Sequence, residues 1–438
     1  MPAPPPLRWS DLAGCAVGIW GWRVEGRVAS ARLRALGVDP VLVDDHIDDP
    51  AVLPLTGGGY DALARCQVVI KSPGVSRRRP EVAALEAGGV QVVGGLGLWM
   101  EEVDRHRVVC VTGTKGKSTT VSVAGHLLAG LGHRSFVGGN LGVPPYAPDA
   151  PADVDWWVIE TSSYQCTDLW SAPPVVAVTS LYPDHLDWHG SVDAYYRDKL
   201  SLCRLPGAAL TVANAADGEL RRRRDQLGPE VNWVDGGEAP PWVERLGLLG
   251  PHNVRNALMA RACLVAMGVP GADDDERLEA AARGFRGLPS RLYRVGTLEG
   301  VDFVDDSLST NVGSTLAALG SFPNRRVALI VGGFDRGIDY RPLAEAVAAR
   351  PETLVLTVPD AGPRIGAEVR AIGGAGAGAA GVVDCASETE AARAGFEWAR
   401  PGGVVLLSPA APSYGRYQDY RERSAAFVGA FAACSAGG

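Results

Sequence analysis

Thr112-Gly-Thr-Lys-Gly-Lys-Ser-Thr-Thr120 is the stretch on which the reading of the fold turns. It follows an apolar run, Val108 to Val111, that reads as a buried strand, and it opens a helical pattern from Val121 to Gly130. Strand, glycine turn, Lys-Ser and helix is the order that aims backbone N–H groups and a helix N-terminus at phosphate. In such a loop Lys117 reaches the β/γ-phosphates and Ser118 takes Mg2+. The strict G-x-x-x-x-G-K-[ST] pattern is not met, because Val111 stands at its first glycine. A chance glycine turn is the bland alternative. Against it, strand, lysine and helix coincide in a chain where only four of 42 basic residues are lysines: Lys71, Lys115, Lys117 and Lys199. Arginine is always charged, whereas lysine can lose its proton and can serve as a compact phosphate ligand, so a retained lysine marks chemistry arginine cannot supply.

Upstream, Cys15 to Trp20 reads as a strand, Gly21 to Gly26 as a turn and Arg27 to Leu36 as a helix. Strands at Val41–Val43 and Gln67–Lys71 follow, the second running into Ser72-Pro73-Gly74. This βαβ rhythm implies a parallel sheet with ligands at the C-terminal strand ends. The glycine turn alone is weak evidence for a nucleotide site, since Arg23 occupies the middle glycine position of G-x-G-x-x-G. Downstream, alternating elements run to about Gly287, and a third segment from Arg291 shows strands at Val301–Val304, Val327–Val331, Thr353–Val358 and Val404–Leu407. Gly373 to Gly381, alternating Ala and Gly, reads as a flexible surface loop.

At 438 residues the chain exceeds the size of one growing core, so two or three domains are expected. A formal net charge of -8 argues against a nucleic-acid partner, and anionic ligands then need local devices such as a phosphate loop. The start, Met1-Pro-Ala-Pro-Pro-Pro6, lacks the pattern of a signal peptide, and no apolar run is long enough to span a bilayer. The eight cysteines form no C-x-x-C pair, which points to small core residues in a reducing cytosol. The expected location is cytoplasmic.

The loop T-G-T-x-G-K-[ST]-T resembles that of the Mur ligases, the amide-forming enzymes of peptidoglycan synthesis, and of their folylpolyglutamate synthase relatives. The resemblance continues in order along nearly the whole chain. Gly138-Gly-Asn-Leu-Gly142 is similar to the family's G-G-N-[IL]-G, and Glu160-Thr-Ser-Ser-Tyr-Gln165 to its E-x-S-S-[FY]-Q. Asp184-His-Leu-Asp187 is similar to D-H-x-D, and His252-Asn253-x-x-Asn256 to H-N-x-x-N. Lys199 matches a lysine carbamylated in the family; Asp305-Asp306-Ser307, Gly332-Gly333 and Leu407-Ser-Pro-Ala410 match motifs of its last domain. Each motif alone has a plainer reading, such as a solvated loop acid for Glu160 or a structural histidine for His185; their shared order favours the functional one.

The resemblance implies an α/β chain of three domains: N-terminal Rossmann-like (1–100, UDP-binding), central P-loop ATPase-like with a parallel sheet (101–289, ATP-binding) and C-terminal Rossmann-like (290–438, amino-acid-binding). Lys117, Lys199, His185 and Glu160 are the implied catalytic residues. Gly113, Thr114, Lys115, Gly116, Lys117, Ser118, Thr119, Asn253, Asn256, Arg291 and Asp306 would bind ATP. Val24, Glu25, Asp44, Asp45, Ser72, Pro73, Gly74, Asn140, Ser162 and Gln165 would bind the UDP-sugar. Two Mg2+ ions would be held by Ser118, Glu160, His185 and a carbamylated Lys199. The chemistry fits these residue types: carboxylate and ATP give an acyl phosphate, an amine attacks it, and both steps concentrate negative charge.

Within the family the pattern looks most like the branch that adds glutamate to UDP-N-acetylmuramoyl-L-alanine, which is expected to be monomeric. Its amino-acid pocket would comprise Leu308, Thr310, Arg336, Ser413 and Tyr420. Here the chain departs from the family: in Asp306-Ser-Leu-Ser-Thr-Asn311, Leu308 replaces a lysine, and Tyr420 stands where phenylalanine is usual. One fewer cation around a dicarboxylate costs affinity unless the substrate is held differently. L-glutamate is the substrate expected from resemblance to a subgroup of this branch that adds it and leaves inversion to a separate downstream epimerase, with D-glutamate the alternative. A P-loop phosphotransferase or NTPase without amide formation is a lesser alternative, which the Lys199 region and the UDP-sugar motifs disfavour.

Overall fold

The computed structural model describes residues 6–47, 49–372 and 381–436. The chain divides into two compact units, Met1–Leu246 with Arg255–Phe285, and Gly247–Val254 with Arg286–Gly438.

The first unit carries two parallel sheets. Strands β1 (Val17–Trp20), β2 (Val41–Asp44), β3 (Leu53–Pro54), β4 (Val68–Lys71) and β5 (Gln91–Val93) take the order β3-β2-β1-β4-β5. Both β1 and β4 are buried at every residue, which is why they read as unbroken apolar runs. The helix after β1 spans Val24–Ala35, three residues earlier than its apolar spacing predicts. Val24, Glu25 and Gly26 are therefore its first turn and not loop. Packing dictates this start: a Cβ on Gly26 would lie 1.9 Å from the Gly21 carbonyl oxygen, so only glycine lets the helix sit on the turn. Arg23, at the vacant middle glycine position, is the exposed N-cap.

The second sheet contains β6 (Val108–Thr112), β7 (Ser135–Gly139), β8 (Trp156–Glu160), β9 (Val175–Val178), β10 (Leu210–Asn214) and β11 (Glu230–Val234), in the order β11-β10-β9-β6-β8-β7. Strand order reverses at β6, so the loop after β6 opens at a switch point, where open parallel sheets bind ligands. One apolar cluster runs through both sheets, from Trp9, Ile19 and Ile70 through Leu98 and Met100 to Val108, Ile159 and Val176. The segment Gly95–Met100, just before the expected boundary at residue 100, is a helix buried at every position. The first two sheets thus share a core within one compact unit.

The second unit is built on β12 (Tyr293–Leu298), β13 (Val301–Asp305), β14 (Val327–Gly333), β15 (Thr353–Asp360), β16 (Gly381–Asp384) and β17 (Val404–Leu407). Their order is β12-β13-β17-β14-β15-β16, parallel except for the β12–β13 hairpin. The Gly/Ala stretch expected as a loop falls at residues 373–380, outside the described residues, and Gly381 opens β16. All eight cysteines are free. Among the described residues no helix is long and apolar enough to cross a membrane.

Candidate functional site

The loop Gly113–Gly116 joins β6 to a helix that spans Lys117–Gly130, four residues longer at its start than the sequence pattern indicates. Lys117 and Ser118 are its first residues, so their backbone N–H groups belong to the unsatisfied N-terminal turn and point where an anion is favoured. Gly116, the N-cap, has φ +93° in the left-handed region, and a Cβ there would lie 2.6 Å from Asn256 Oδ1. The loop is held from the side by the two residues that follow β9: Thr179 Oγ1 donates to the Lys115 carbonyl at 2.5 Å, and Lys115 N–H donates to Ser180 Oγ at 2.9 Å. Thr114 Oγ1 donates to the Tyr182 carbonyl at 3.0 Å and lies 2.9 Å from the Tyr195 hydroxyl. Lys117 Nζ donates to the carbonyls of Gly113 at 2.9 Å and Thr114 at 3.2 Å, folded back along the loop it is expected to serve.

Two further groups converge on this loop. Ser118 Oγ donates to Glu160 Oε2 at 2.6 Å, and Asn140 Nδ2 donates to Glu160 Oε1 at 2.7 Å; Glu160 and Ser118 are buried. Glu160 is the last residue of β8, the neighbour of β6, which is what brings a carboxylate to the serine. Lys199, on the helix Val192–Leu200, donates from Nζ to the Gly113 carbonyl at 3.0 Å and is 2 % exposed. Burial, reinforced by the nearby Lys117 charge, lowers its ammonium pKa to about 7. Neutral amine is therefore plentiful at neutral pH. His185 lies within electrostatic reach of this cluster: it is a left-handed residue (φ 51°), half exposed, with Nε2 3.8 Å from Asp184 Oδ2 and its ring edge-on to Tyr164. Burial, with the charges of Lys199, Lys115 and Lys117, lowers its pKa against the pull of Asp184. Among the described residues, no group of three or more His, Cys, Asp and Glu is arranged to hold a metal ion.

At the ends of β1, β2 and β4 the expected UDP-sugar residues form a second cluster. Asp44 accepts from the N–H groups of Trp22 at 2.6 Å and His46 at 2.8 Å, and Ser72 Oγ donates to the Gly21 carbonyl at 2.8 Å. Asp45 pairs with Arg79 at 2.6 Å. Val24 and Gly74 are exposed beside these turns, and Pro73 is half-buried. The Glu25 carboxylate is already occupied: Tyr146 OH and Gln165 Nε2 each donate to it at 2.8 Å, while burial raises its pKa. Ser162 caps the short helix Ser163–Cys166 and Gln165 closes the capping box. Glu25, Ser162 and Gln165 thus make a supporting frame between the two sheets.

In the second unit, Asp306 Oδ1 accepts from Leu292 N–H at 3.1 Å and its Oδ2 from Ser408 Oγ at 2.8 Å. These bonds draw the segment around Arg291 and the loop after β17 to the end of β13. Leu308 and Thr310 lie half-buried in the loop after β13, with Leu308 N–H donating to the Ser290 carbonyl at 3.0 Å. Arg336 is exposed in the loop after β14; Ser413 is buried and Tyr420 half-buried, the latter opening the helix Tyr420–Ala436. Asn253 belongs to this unit, where its Nδ2 donates to the Leu249 carbonyl at 2.9 Å, whereas Asn256 belongs to the first.

Residues 111–240 match the model of the Mur ligase middle domain, and residues 290–411 match that of the Mur ligase glutamate ligase domain. A Micromonospora protein named UDP-N-acetylmuramoyl-L-alanine–L-glutamate ligase is 41 % identical over 96 % of this chain and 97 % of its own. The chain belongs to the Mur ligase family. A Xanthomonas campestris protein of the same name is 38 % identical, covering 96 % of both chains. Among solved structures, the Thermotoga maritima UDP-N-acetylmuramate–alanine ligase aligns with a TM-score of 0.57 at 19 % identity, over 96 % of this chain and all of that one. The T. maritima MurF ligase, solved in complex with ADP, gives 0.56 at 15 % identity, over 96 % and 95 %. Mur ligases are ATP-dependent amide ligases, and this chain is one of them.

Several residues at this Mur ligase site carry no motif. Lys71 Nζ donates to Asp168 Oδ2 at 2.6 Å, and Arg77 Nε donates to Asp168 Oδ1 at 2.6 Å, so that a buried Lys71–Asp168 pair and a half-buried Arg77 form an ion triad joining the two sheets. Lysine scarcity had marked position 71 without giving it a partner. Arg423, 2 % exposed, donates to the Ser307 and Ala411 carbonyls at 2.7 and 3.1 Å, tying the loops after β13 and β17 together.

Proposed function

We propose that this Mur ligase joins L-glutamate to the alanyl carboxylate of UDP-N-acetylmuramoyl-L-alanine, through an acyl phosphate, in cytoplasmic peptidoglycan synthesis. The observation that carries the reading is the convergence of Ser118, Glu160 and buried Lys199 on the loop Gly113–Lys117. The names of full-length relatives favour the same acceptor and amino acid.

In this reading residues 1–100 grip the UDP group, 101–289 bind ATP and 290–438 supply the amino-acid pocket. Asp44, Asp45, Ser72, Pro73, Gly74 and Val24 contact the UDP-sugar from the first sheet, with Glu25, Ser162 and Gln165 holding Asn140's side of the acceptor. Gly113 to Thr119, with Asn253, Asn256, Arg291 and Asp306, bind the nucleotide. Lys117 swings from its loop carbonyls onto the phosphates. The acceptor carboxylate attacks the γ-phosphorus, ADP leaves, and the glutamate amine then displaces phosphate from the acyl carbon.

The pairing of a hydroxyl and a carboxylate at Ser118–Glu160 is an oxygen donor set of the kind Mg2+ prefers, and a carbamate on Lys199 adds another anion beside the loop. Bound Mg2+ supplies charge neutralisation as phosphate is transferred. Carbamylation consumes CO2 at the neutral Lys199 amine and releases one proton; arginine has no equivalent reaction. His185, the residue before the short helix Leu186–His189, completes the set as its imidazole member. The pocket of Leu308, Thr310, Arg336, Ser413 and Tyr420 keeps the Arg336 cation and lacks the lysine at 308; the choice of L-glutamate over D-glutamate is supported by the names of the full-length relatives.

The test is phosphate release by purified protein with ATP, Mg2+ and UDP-N-acetylmuramoyl-L-alanine, comparing the two glutamate enantiomers. Turnover with the L-form is expected. Turnover with D-glutamate alone overturns the stereochemical assignment, and silence with both overturns the substrate assignment.

A further inference from the structure

One buried imidazole, outside every motif of the family resemblance, joins three elements of the first unit. His189 is 1 % exposed. Its Nδ1 lies 2.7 Å from Asp198 Oδ2 and its Nε2 lies 2.9 Å from Ser163 Oγ. Ser163 is three residues past Glu160, and Asp198 immediately precedes Lys199. Asp198 also receives Arg78 NH2 at 2.8 Å, from the segment that follows Ser72-Pro73-Gly74. The ring is packed among Trp188, Tyr195 and Tyr164, with centroids at 4.4, 5.0 and 5.5 Å.

The hydrogen-bond roles follow from the partners. Burial pushes the Asp198 carboxyl up, but hydrogen bonds from His189 and Arg78 outweigh it and hold the group below the ordinary carboxylate range. An ionised Asp198 only accepts, so Nδ1 donates to it, and Nε2 bridges to the Ser163 hydroxyl. The order Ser–His–Asp resembles a hydrolase triad, yet Ser163 is 3 % exposed and no substrate reaches its oxygen. The chain of bonds therefore acts as a brace. It ties the helix that carries Lys199 to the segment that follows Glu160, and these two residues must meet the same phosphate loop.

We propose that His189 is a positioning residue for Lys199, fixing the lysine amine against the Gly113–Lys117 loop in register with Glu160. The proposal rests on the reading of Lys199 as a carbamylated lysine. A lysine side chain has four rotatable bonds, so the placement of its amine depends on how firmly its helix is anchored; the His189 brace grips that helix at the adjacent residue.

The test compares His189→Gln with His189→Asn in CO2-free buffer, with bicarbonate added back. Asparagine places an amide N–H near the position of Nδ1 and keeps the Asp198 bond, whereas glutamine places its amide near Nε2 and loses it. Two readouts are followed: the carbamate resonance after addition of 13C-bicarbonate, and the bicarbonate concentration giving half-maximal turnover. The glutamine variant is expected to need about tenfold more bicarbonate and to lose about 10- to 100-fold in kcat, as removal of an outer-shell partner does. Its KM for ATP should move less than about twofold, and the asparagine variant should recover most of the loss. Asp198→Ala, which removes the acceptor of the Nδ1–H bond, serves as a second variant should the glutamine protein fail to fold, with the same expectation. A lowered Tm with unchanged bicarbonate dependence in these variants overturns the proposal and leaves His189 a packing residue. A wild-type protein with neither a carbamate resonance nor a bicarbonate requirement overturns the carbamylation reading itself, and the proposal with it.

Discussion

Replacing Lys199 with methionine should make the protein more stable and inactive at once, by an amount that depends on pH. The Lys199 ammonium titrates at about 7 in the folded chain against an ordinary value of 10.5. That gap of roughly 3.5, at about 1.36 kcal/mol each, disfavours the buried charged form by about 5 kcal/mol. Below pH 7 the lysine is protonated in both the folded and the unfolded chain, so the whole cost of burying the charge is present. Above pH 7 the folded lysine sheds its proton while the unfolded one keeps it until 10.5, so the cost falls as pH rises through that window. Methionine has nearly the same length and carries no charge. The stability gained by Lys199→Met should therefore be larger at pH 6 than at pH 9 by about 3 kcal/mol. Denaturant titration of both proteins in CO2-free buffer at the two pH values reads this difference directly. A gain that is the same at pH 6 and pH 9 would refute the argument that burial holds the amine near neutrality. Ligase turnover retained by the methionine variant would refute the need for a lysine there.

Three other substitutions bear on separate parts of the account. Gly116→Ala places a Cβ 2.6 Å from Asn256 Oδ1 on a left-handed backbone, and should cut kcat/KM for ATP about 100-fold in steady-state assays. Lys71→Met leaves Asp168 buried with Arg77 as its remaining cation; urea denaturation should show a loss of about 3 kcal/mol, and an unchanged midpoint would mean the triad adds nothing. Leu308→Lys restores a cation to the amino-acid pocket and should raise kcat/KM for D-glutamate about 10- to 100-fold relative to L-glutamate. An unaltered enantiomer ratio would detach position 308 from stereochemistry.

The parts of this molecule legible in the sequence are those written locally. Buried strands such as β1, β4 and β6 announce themselves as short apolar runs, and the turns that follow them carry Gly21-Trp22-Arg23, Ser72-Pro73-Gly74 and Gly113–Gly116. Helix starts were less legible: the helices at Val24 and Lys117 begin three and four residues before their apolar periodicity, because their first turns, Val24-Glu-Gly26 and Lys117-Ser-Thr-Thr120, bring no aliphatic side chain to the core. The pairs that order the site span long stretches of chain and have no local signature. Lys71 and Asp168 are 97 residues apart, and Ser163 and His189 are 26 apart. Likewise, the shared core of the first two sheets depends on Trp9, Leu98 and Val108 meeting in space, which no hydrophobic period records.

The most direct test of the central claim follows the oxygen. If UDP-N-acetylmuramoyl-L-alanine labelled with 18O in its alanyl carboxylate is turned over with ATP and L-glutamate, an acyl phosphate transfers one labelled oxygen to the released phosphate. The account predicts 18O in inorganic phosphate, together with a product heavier by one glutamate residue. Unlabelled phosphate accompanying that product would contradict activation through the carboxylate, and phosphate release without the amide product would contradict ligation.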